Sequence, residues 1–250
     1  MMNTTLLKCD NLVLGYKAKA DHVGIVESFH FELDAGQVVA LLGENGSGKS
    51  TFLKTLCAQL QPVSGEVSLC GRSLWGSVEG TAWAARERAK LVTLVRMSGL
   101  VCERMTVREF VNLGRTPYAG LFDGRSKEDD RVVDESLALL DLESYASRWV
   151  NELSDGERSR VYLAQAVAQQ VKVLLLDEPN AFLDIPRSRK LFALLQKLAK
   201  ERNMGILVST HSVEYAEKYC DRIMVIENGS ARCESASDAR AKGLLDWTEA

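Results

Sequence analysis

Val38-Val39-Ala40-Leu41-Leu42-Gly43-Glu44-Asn45-Gly46-Ser47-Gly48-Lys49-Ser50-Thr51 joins an apolar run to a glycine-rich turn, and a segment from Thr51 to Leu60 that can be helical follows. Gly43, four residues, then Gly48-Lys49-Ser50 is the P-loop pattern, here in its proper context of strand, loop and helix. The glycines let backbone N–H groups curl around an oxyanion, and the following helix adds its positive N-terminal end. Lys49 supplies a full charge for the outer phosphates, and the Ser50 hydroxyl is placed to ligate Mg²⁺. This stretch points to binding of a nucleoside triphosphate.

Upstream, Leu6 to Leu14 and Ser28 to Leu33 read as short strands with a loop around Lys17 to Gly24. With Glu66 to Leu69 they predict a mainly antiparallel sheet beside the nucleotide-binding core. From Thr81 to about Gln170 the pattern is helical, with Val132, Val133, Leu137 and Leu140 near helical spacing. Val171 to Leu176 and Ile206 to Thr210 read as strands, separated by a helix from about Arg187 to Arg202. Leu191, Leu195 and Leu198 form its apolar stripe. Arg222 to Ile226, followed by Glu227-Asn228-Gly229, predicts a closing hairpin. Alternating apolar strands and helices argue for an α/β fold with a largely parallel central sheet.

Composition narrows the function classes. A 250-residue chain with 46% hydrophobic residues reads as one large globular unit, and a net charge of −3 gives no basic footprint for nucleic acid. No apolar run reaches the ~18–20 residues that span a bilayer, and the first residues do not pattern as a signal peptide. Cys9, Cys57, Cys70, Cys102, Cys220 and Cys233 are scattered, which reads as reduced thiols in a cytoplasmic protein.

Val173-Leu174-Leu175-Leu176-Asp177-Glu178-Pro179 is an apolar strand ending in two carboxylates. Ligands sit beyond the carboxyl ends of strands in an open parallel sheet, which brings both acids to the P-loop phosphates. Asp177 can hold Mg²⁺ through its water shell, and Glu178 can polarise a water for in-line attack. His211 ends another apolar strand and becomes a candidate γ-phosphate sensor. Alone, each admits a plainer reading, as solvated acids or a solvated histidine. Leu153-Ser154-Asp155-Gly156-Glu157 carries Ser-x-x-Glu, a capping box that opens a helix through Arg160, Leu163 and Val167.

Taken together, these motifs resemble those of the ATP-binding cassette (ABC) ATPases over essentially the whole chain. The resemblance implies a P-loop NTPase of ABC type, with an antiparallel β subdomain and a helical subdomain. Residues 1–80 and 171–250 would form the core with its β subdomain, and residues 81–170 the helical subdomain. It implies ATP and Mg²⁺ as the bound species. The family's LSGGQ signature would fall on Ser154, Asp155, Gly156 and Glu157, acting on ATP held by the other subunit of a homodimer. Asn180 to Asp184 would cross the dimer seam, and Tyr16 would stack on adenine.

Two positions depart from the family pattern. Asp155 stands where glycine is usual, with an expectation that its carboxylate points away from phosphate, and Glu157 where glutamine is common. The glutamine expected after the strand read as Leu91 to Val95 is replaced by Arg96 or Met97. Neither suits Mg²⁺, so Ser50 is expected to be the sole direct protein ligand, with Asp177 acting through water and Glu103 as the competing carboxylate.

Thr106 to Tyr118 is similar to ATPase subunits that power uptake of iron-siderophores, haem and vitamin B12. That group implies a separate integral-membrane permease, an extracytoplasmic substrate-binding protein, and a place on the inner face of the membrane. A cassette ATPase of iron–sulfur cluster assembly is the alternative. A nucleic-acid-linked cassette would need two cassettes or a long coiled coil, and a P-loop switch or kinase would lack the dimeric site.

Overall fold

The computed structural model describes residues 4–17, 22–75, 84–96, 104–120 and 126–245. Two long strands, β1 (Thr5–Lys17) and β2 (His22–Asp34), pair antiparallel with several register shifts. They are longer than the short strands expected, because the pairing continues through Tyr16↔Val23 to Lys17↔His22. β3 (Val38–Leu42) then feeds the P-loop and α1 (Lys49–Leu56). The helix thus starts two residues before Thr51 and takes in Lys49 and Ser50. β4 (Ser64–Leu69) and β5 (Arg72–Ser73) complete a four-stranded antiparallel sheet in the order β2-β1-β4-β5.

A short helix, α2 (Ala85–Ala89), leads into β6 (Val92–Arg96). β6 lies inside the span expected to be the helical subdomain, yet it pairs parallel to the strand ending in Asp177 and belongs to the central sheet. It is the strand read at Leu91 to Val95, shifted by one residue, and its partner β7 is distant in sequence, so the sheet it joins is not apparent from its own residues. Next come α3 (Val107–Asn112), a 3₁₀ segment (Leu113–Tyr118), α4 (Lys127–Leu139) and α5 (Asp155–Ala168). Then follow β7 (Val173–Asp177), α6 (Ile185–Arg202), β8 (Gly205–Ser209), α7 (Val213–Tyr219), β9 (Arg222–Glu227), β10 (Ser230–Ser235) and a short α8 (Ala236–Ala239). The second sheet has six strands in the order β10-β9-β3-β8-β7-β6, parallel except for the last hairpin. Asn228 and Gly229 both take positive φ, 47° and 75°, as the tight turn between β9 and β10 requires.

The inner strands β3, β7 and β8 of this sheet are buried on both faces. Val38, Ala40 and Leu42 of β3, with Leu174, Leu176, Ile206 and Val208, face a core shared with α5 and α6. Val39 and Leu41, with Val173, Leu175 and Leu207, face α1 and the antiparallel sheet. That explains the nearly continuous apolar runs in β3, β7 and β8. On the second face Phe52 of α1 meets Phe29 and Phe31 edge-on, with ring centroids 5.4 and 5.5 Å apart. No helix among the described residues is long and apolar enough to cross a membrane.

Candidate nucleotide site

β3, β8 and β7 lie side by side and parallel, so their carboxyl ends open on one edge of the sheet. The P-loop leaves β3 there, Asp177 and Glu178 leave β7, and Thr210 and His211 leave β8. Gly43 holds φ at +146°, and a Cβ on it would stand 2.3 Å from the Ile226 carbonyl and 2.8 Å from Ser47 Oγ. Gly46 and Gly48 also have positive φ, 83° and 114°. Only glycine allows the loop to close this tightly. Lys49 folds back beneath it, with Nζ donating to the carbonyls of Gly43 at 2.6 Å and Glu44 at 2.8 Å. Burial pulls its ammonium below the ordinary lysine value, while the charges of Glu178 and Asp177 oppose that shift. Glu44 and Asn45 are exposed on the rim.

The carboxylates are held apart by backbone and by a buried serine. Glu178 has φ +50°, outside the strand conformation. Its side chain reaches His211, whose Nε2 lies 2.8 Å from Glu178 Oε1. Asp177 turns the other way, with Oδ2 accepting from Ser50 Oγ at 3.2 Å and Oδ1 from Ser209 Oγ at 2.9 Å. Ser209 Oγ also accepts the Glu178 backbone N–H at 2.9 Å. Ser209 is fully buried, and sequence reasoning missed it. Its signal was present as the first of two hydroxyls, Ser209 and Thr210, closing the run Ile206-Leu207-Val208. Asn180 joins the same edge, its Oδ1 accepting from Thr210 Oγ1 at 3.2 Å.

Tyr16 is half exposed and reaches the loop from β1, its hydroxyl 2.8 Å from Thr51 Oγ1. Ser154, Asp155, Gly156 and Glu157 open α5 elsewhere. Ser154 Oγ accepts from Glu157 N, and Glu157 Oε2 accepts from Ser154 N at 2.9 Å and from its hydroxyl at 2.7 Å, closing the capping box. The Ser154 hydroxyl, then its backbone N–H, holds the Glu157 carboxyl below the usual range. Asp155 turns to Arg158 on its own helix and stays exposed. Among the described residues none of these groups bonds to the P-loop, Asp177, Glu178 or His211. Asp184 caps α6 through the Arg187 N–H at 2.8 Å, beside exposed Phe182 and Ile185. Arg96 ends β6 level with Asp177, while Met97 and Glu103 fall outside the described residues.

The residues fit a triphosphate and a hard cation. Ser47 Oγ is buried in the loop without a hydrogen-bond partner, and the Lys49 ammonium and the start of α1 bring positive charge to the same loop. Ser50 Oγ and Asp177 Oδ2, 3.2 Å apart, supply the oxygen donors a hard cation takes. Few protein oxygens beside phosphate suits Mg²⁺.

A P-loop facing a strand-end Asp-Glu pair and a histidine defines the class of nucleoside-triphosphate hydrolases. The sequence matches the ABC transporter family model over residues 26–181. A petrobactin import ATP-binding protein of Bacillus anthracis is 34% identical, covering 85% of this chain and 76% of its own length. A hemin import ATP-binding protein of Pseudomonas entomophila is 35% identical, covering 87% and 83%. The dimeric structure of a bacterial ABC transporter cassette matches with a TM-score of 0.80 at 26% identity, over 92% of this chain and 99% of that one. The chain belongs to the ABC transporter family and is an ATP-hydrolysing cassette of it.

Proposed function

We propose that this chain is the ATPase subunit powering import of an iron chelate, siderophore or haem, or a related metal chelate, through a separate membrane permease. The convergence of Ser50, Asp177, Glu178 and His211 on the P-loop edge carries the ATPase half of this reading. The likeness to petrobactin and hemin import subunits supports the cargo class.

Within that reading the P-loop N–H groups and Lys49 hold the β- and γ-phosphates, and Tyr16 stacks on adenine. Mg²⁺ would supply charge neutralisation, held directly by Ser50 and through water by Asp177. Glu178 accepts the proton of the attacking water, and His211 orients that carboxylate and senses the γ-phosphate. Ser154 and Gly156 complete the site on a second copy, with Asp184 at the seam, so the working unit is a homodimer. It docks on permease subunits at the inner membrane face, and a substrate-binding protein delivers the cargo outside.

Glu178→Gln tests both halves. ATP binding is expected to persist, turnover to fall roughly 10²–10⁴-fold, and chelate uptake by cells relying on the variant to stop. Wild-type turnover would remove Glu178 from the chemistry. Undiminished uptake of siderophore and haem despite lost turnover would remove this chain from their import.

A further inference from the structure

The stretch Gly114 to Tyr118 clamps the far end of the helix that carries Ser154. Gly114 lies flush on the last turn of α5: a Cβ there would sit 2.3 Å from the Gln165 carbonyl. Arg115 is buried. Its Nη1 donates to the Ala168 carbonyl at 2.8 Å and to Gln170 Oε1 at 2.9 Å, and its Nε donates to Asp129 at 2.8 Å. Its guanidinium stacks 4.0 Å from the centroid of the Tyr118 ring, and the Tyr118 hydroxyl donates to the Gln169 carbonyl at 3.0 Å. Ala168 and Gln169 carry carbonyls that a helix end leaves without intrahelical donors, and a cation there also complements the helix dipole.

That joint has a particular place in the chain. α5 runs from its cap Ser154 to Ala168 at the clamp, and a link of residues 169–172 joins it to β7, which starts at Val173 toward Asp177 and Glu178. Gln170 turns the corner with φ +53°. A 14-residue helix is about 21 Å long, so a 5° tilt at the clamp moves Ser154 by about 2 Å. Misplacement on that scale is enough to cost on the order of 10²-fold in rate.

We propose that Arg115 and Tyr118 are positioning residues for hydrolysis: they fix the angle between α5 and β7, and so the reach of Ser154 and Gly156 to ATP on the opposite copy. This rests on the shared-site reading given above, and mixed dimers separate the two. Lys49→Ala mixed with Ser154→Arg leaves one composite site intact, so activity absent from each alone is expected. Silence there overturns the shared site itself.

With that pair active, Arg115→Met alone is expected to lose roughly 10²-fold in kcat, with KM for ATP within about twofold. Mixed with Lys49→Ala it should regain the activity of the first pair, because its P-loop is sound. Mixed with Ser154→Arg it should stay inactive, because both copies then lack a usable signature. Equal recovery with both partners, or with neither, overturns the assignment. Should Arg115→Met fail to fold, Tyr118→Phe keeps the ring and deletes only the hydroxyl. A fall in kcat at constant KM and unchanged Tm supports the inference, and an unchanged kcat overturns it.

Discussion

Glu178 stands in the left-handed region at φ +50°, a conformation that costs a non-glycine residue about 1 kcal/mol or more. The turn it makes separates two consecutive carboxylates, sending one to Ser50 and the other to His211. Gly43 is the counterpart across the edge, where sterics rather than charge decide. Gly43→Ala would place a methyl 2.3 Å from the Ile226 carbonyl, a backbone atom that cannot swing aside. ATP affinity is expected to fall by at least an order of magnitude, on the scale of the overpacking penalty. Titration with a fluorescent ATP analogue measures it, and affinity within twofold of wild type would show that the loop relaxes freely. At this scale the sequence was most readable. The gathering of Lys49, Ser50, Asp177, Glu178 and His211 at one edge was legible, because each stands at or just past the end of an apolar strand. Ser209 escaped, since a serine inside an apolar strand looks like any tolerated hydroxyl until its two partners are seen.

Among the elements, α4 and α5 show what capping does at each end. Ser126 and Asp129 form a reciprocal box at the start of α4, and Asp129 also receives Arg115 Nε. The Ser126 hydroxyl first, then Arg115, lowers the Asp129 pKa below its ordinary value. A carboxyl depressed in the folded state contributes stability above its unfolded pKa, about 3.9, and loses it as pH falls through the folded value. Asp129→Asn is therefore expected to cost about 2 kcal/mol at pH 7. The gap from wild type should shrink as pH is lowered from 5 toward 2. Urea unfolding across that range measures it, and a gap independent of pH would contradict the assignment. The box on α5 was legible as Ser-x-x-Glu, whereas the box on α4 and the clamp on α5 were not read. The clamp's members, Arg115, Tyr118, Ala168 and Gln170, meet only through tertiary packing, so no local period announces them. The length of β1 and β2 was hidden for a related reason: their register shifts break the alternation by which strands are recognised.

At the scale of the whole molecule, the two-faced sheet accounts for the order of layers. Odd and even residues of β3 serve different cores, and the helical segment packs on one of them. The expected α/β architecture with antiparallel and helical parts follows from strand patterns. The strand at Leu91 to Val95 was read as well, but not its place at the edge of the central sheet, because its partner in β7 lies some eighty residues further along the chain.

The same strand order governs when the site can exist during synthesis. β3 carries the P-loop near the start of the chain, yet Val38 pairs with Ile206 and Val39 with Arg222, so both neighbours come from the last fifth. Until the ribosome has released those segments, β3 has no walls and Gly43 has no Ile226 carbonyl to pack against. Pairing across such separations is slow, and ligand affinity can reward it only once the contacts form. A chain stopped at Arg202 contains the entire P-loop sequence, Asp177 and Glu178, and is expected to show no saturable ATP binding. Full-length affinity in that fragment would mean the loop organises unaided. Absence of binding makes nucleotide a ligand of finished chains alone, so ATP acts as a late seal on biosynthesis as well as the fuel of the completed cassette.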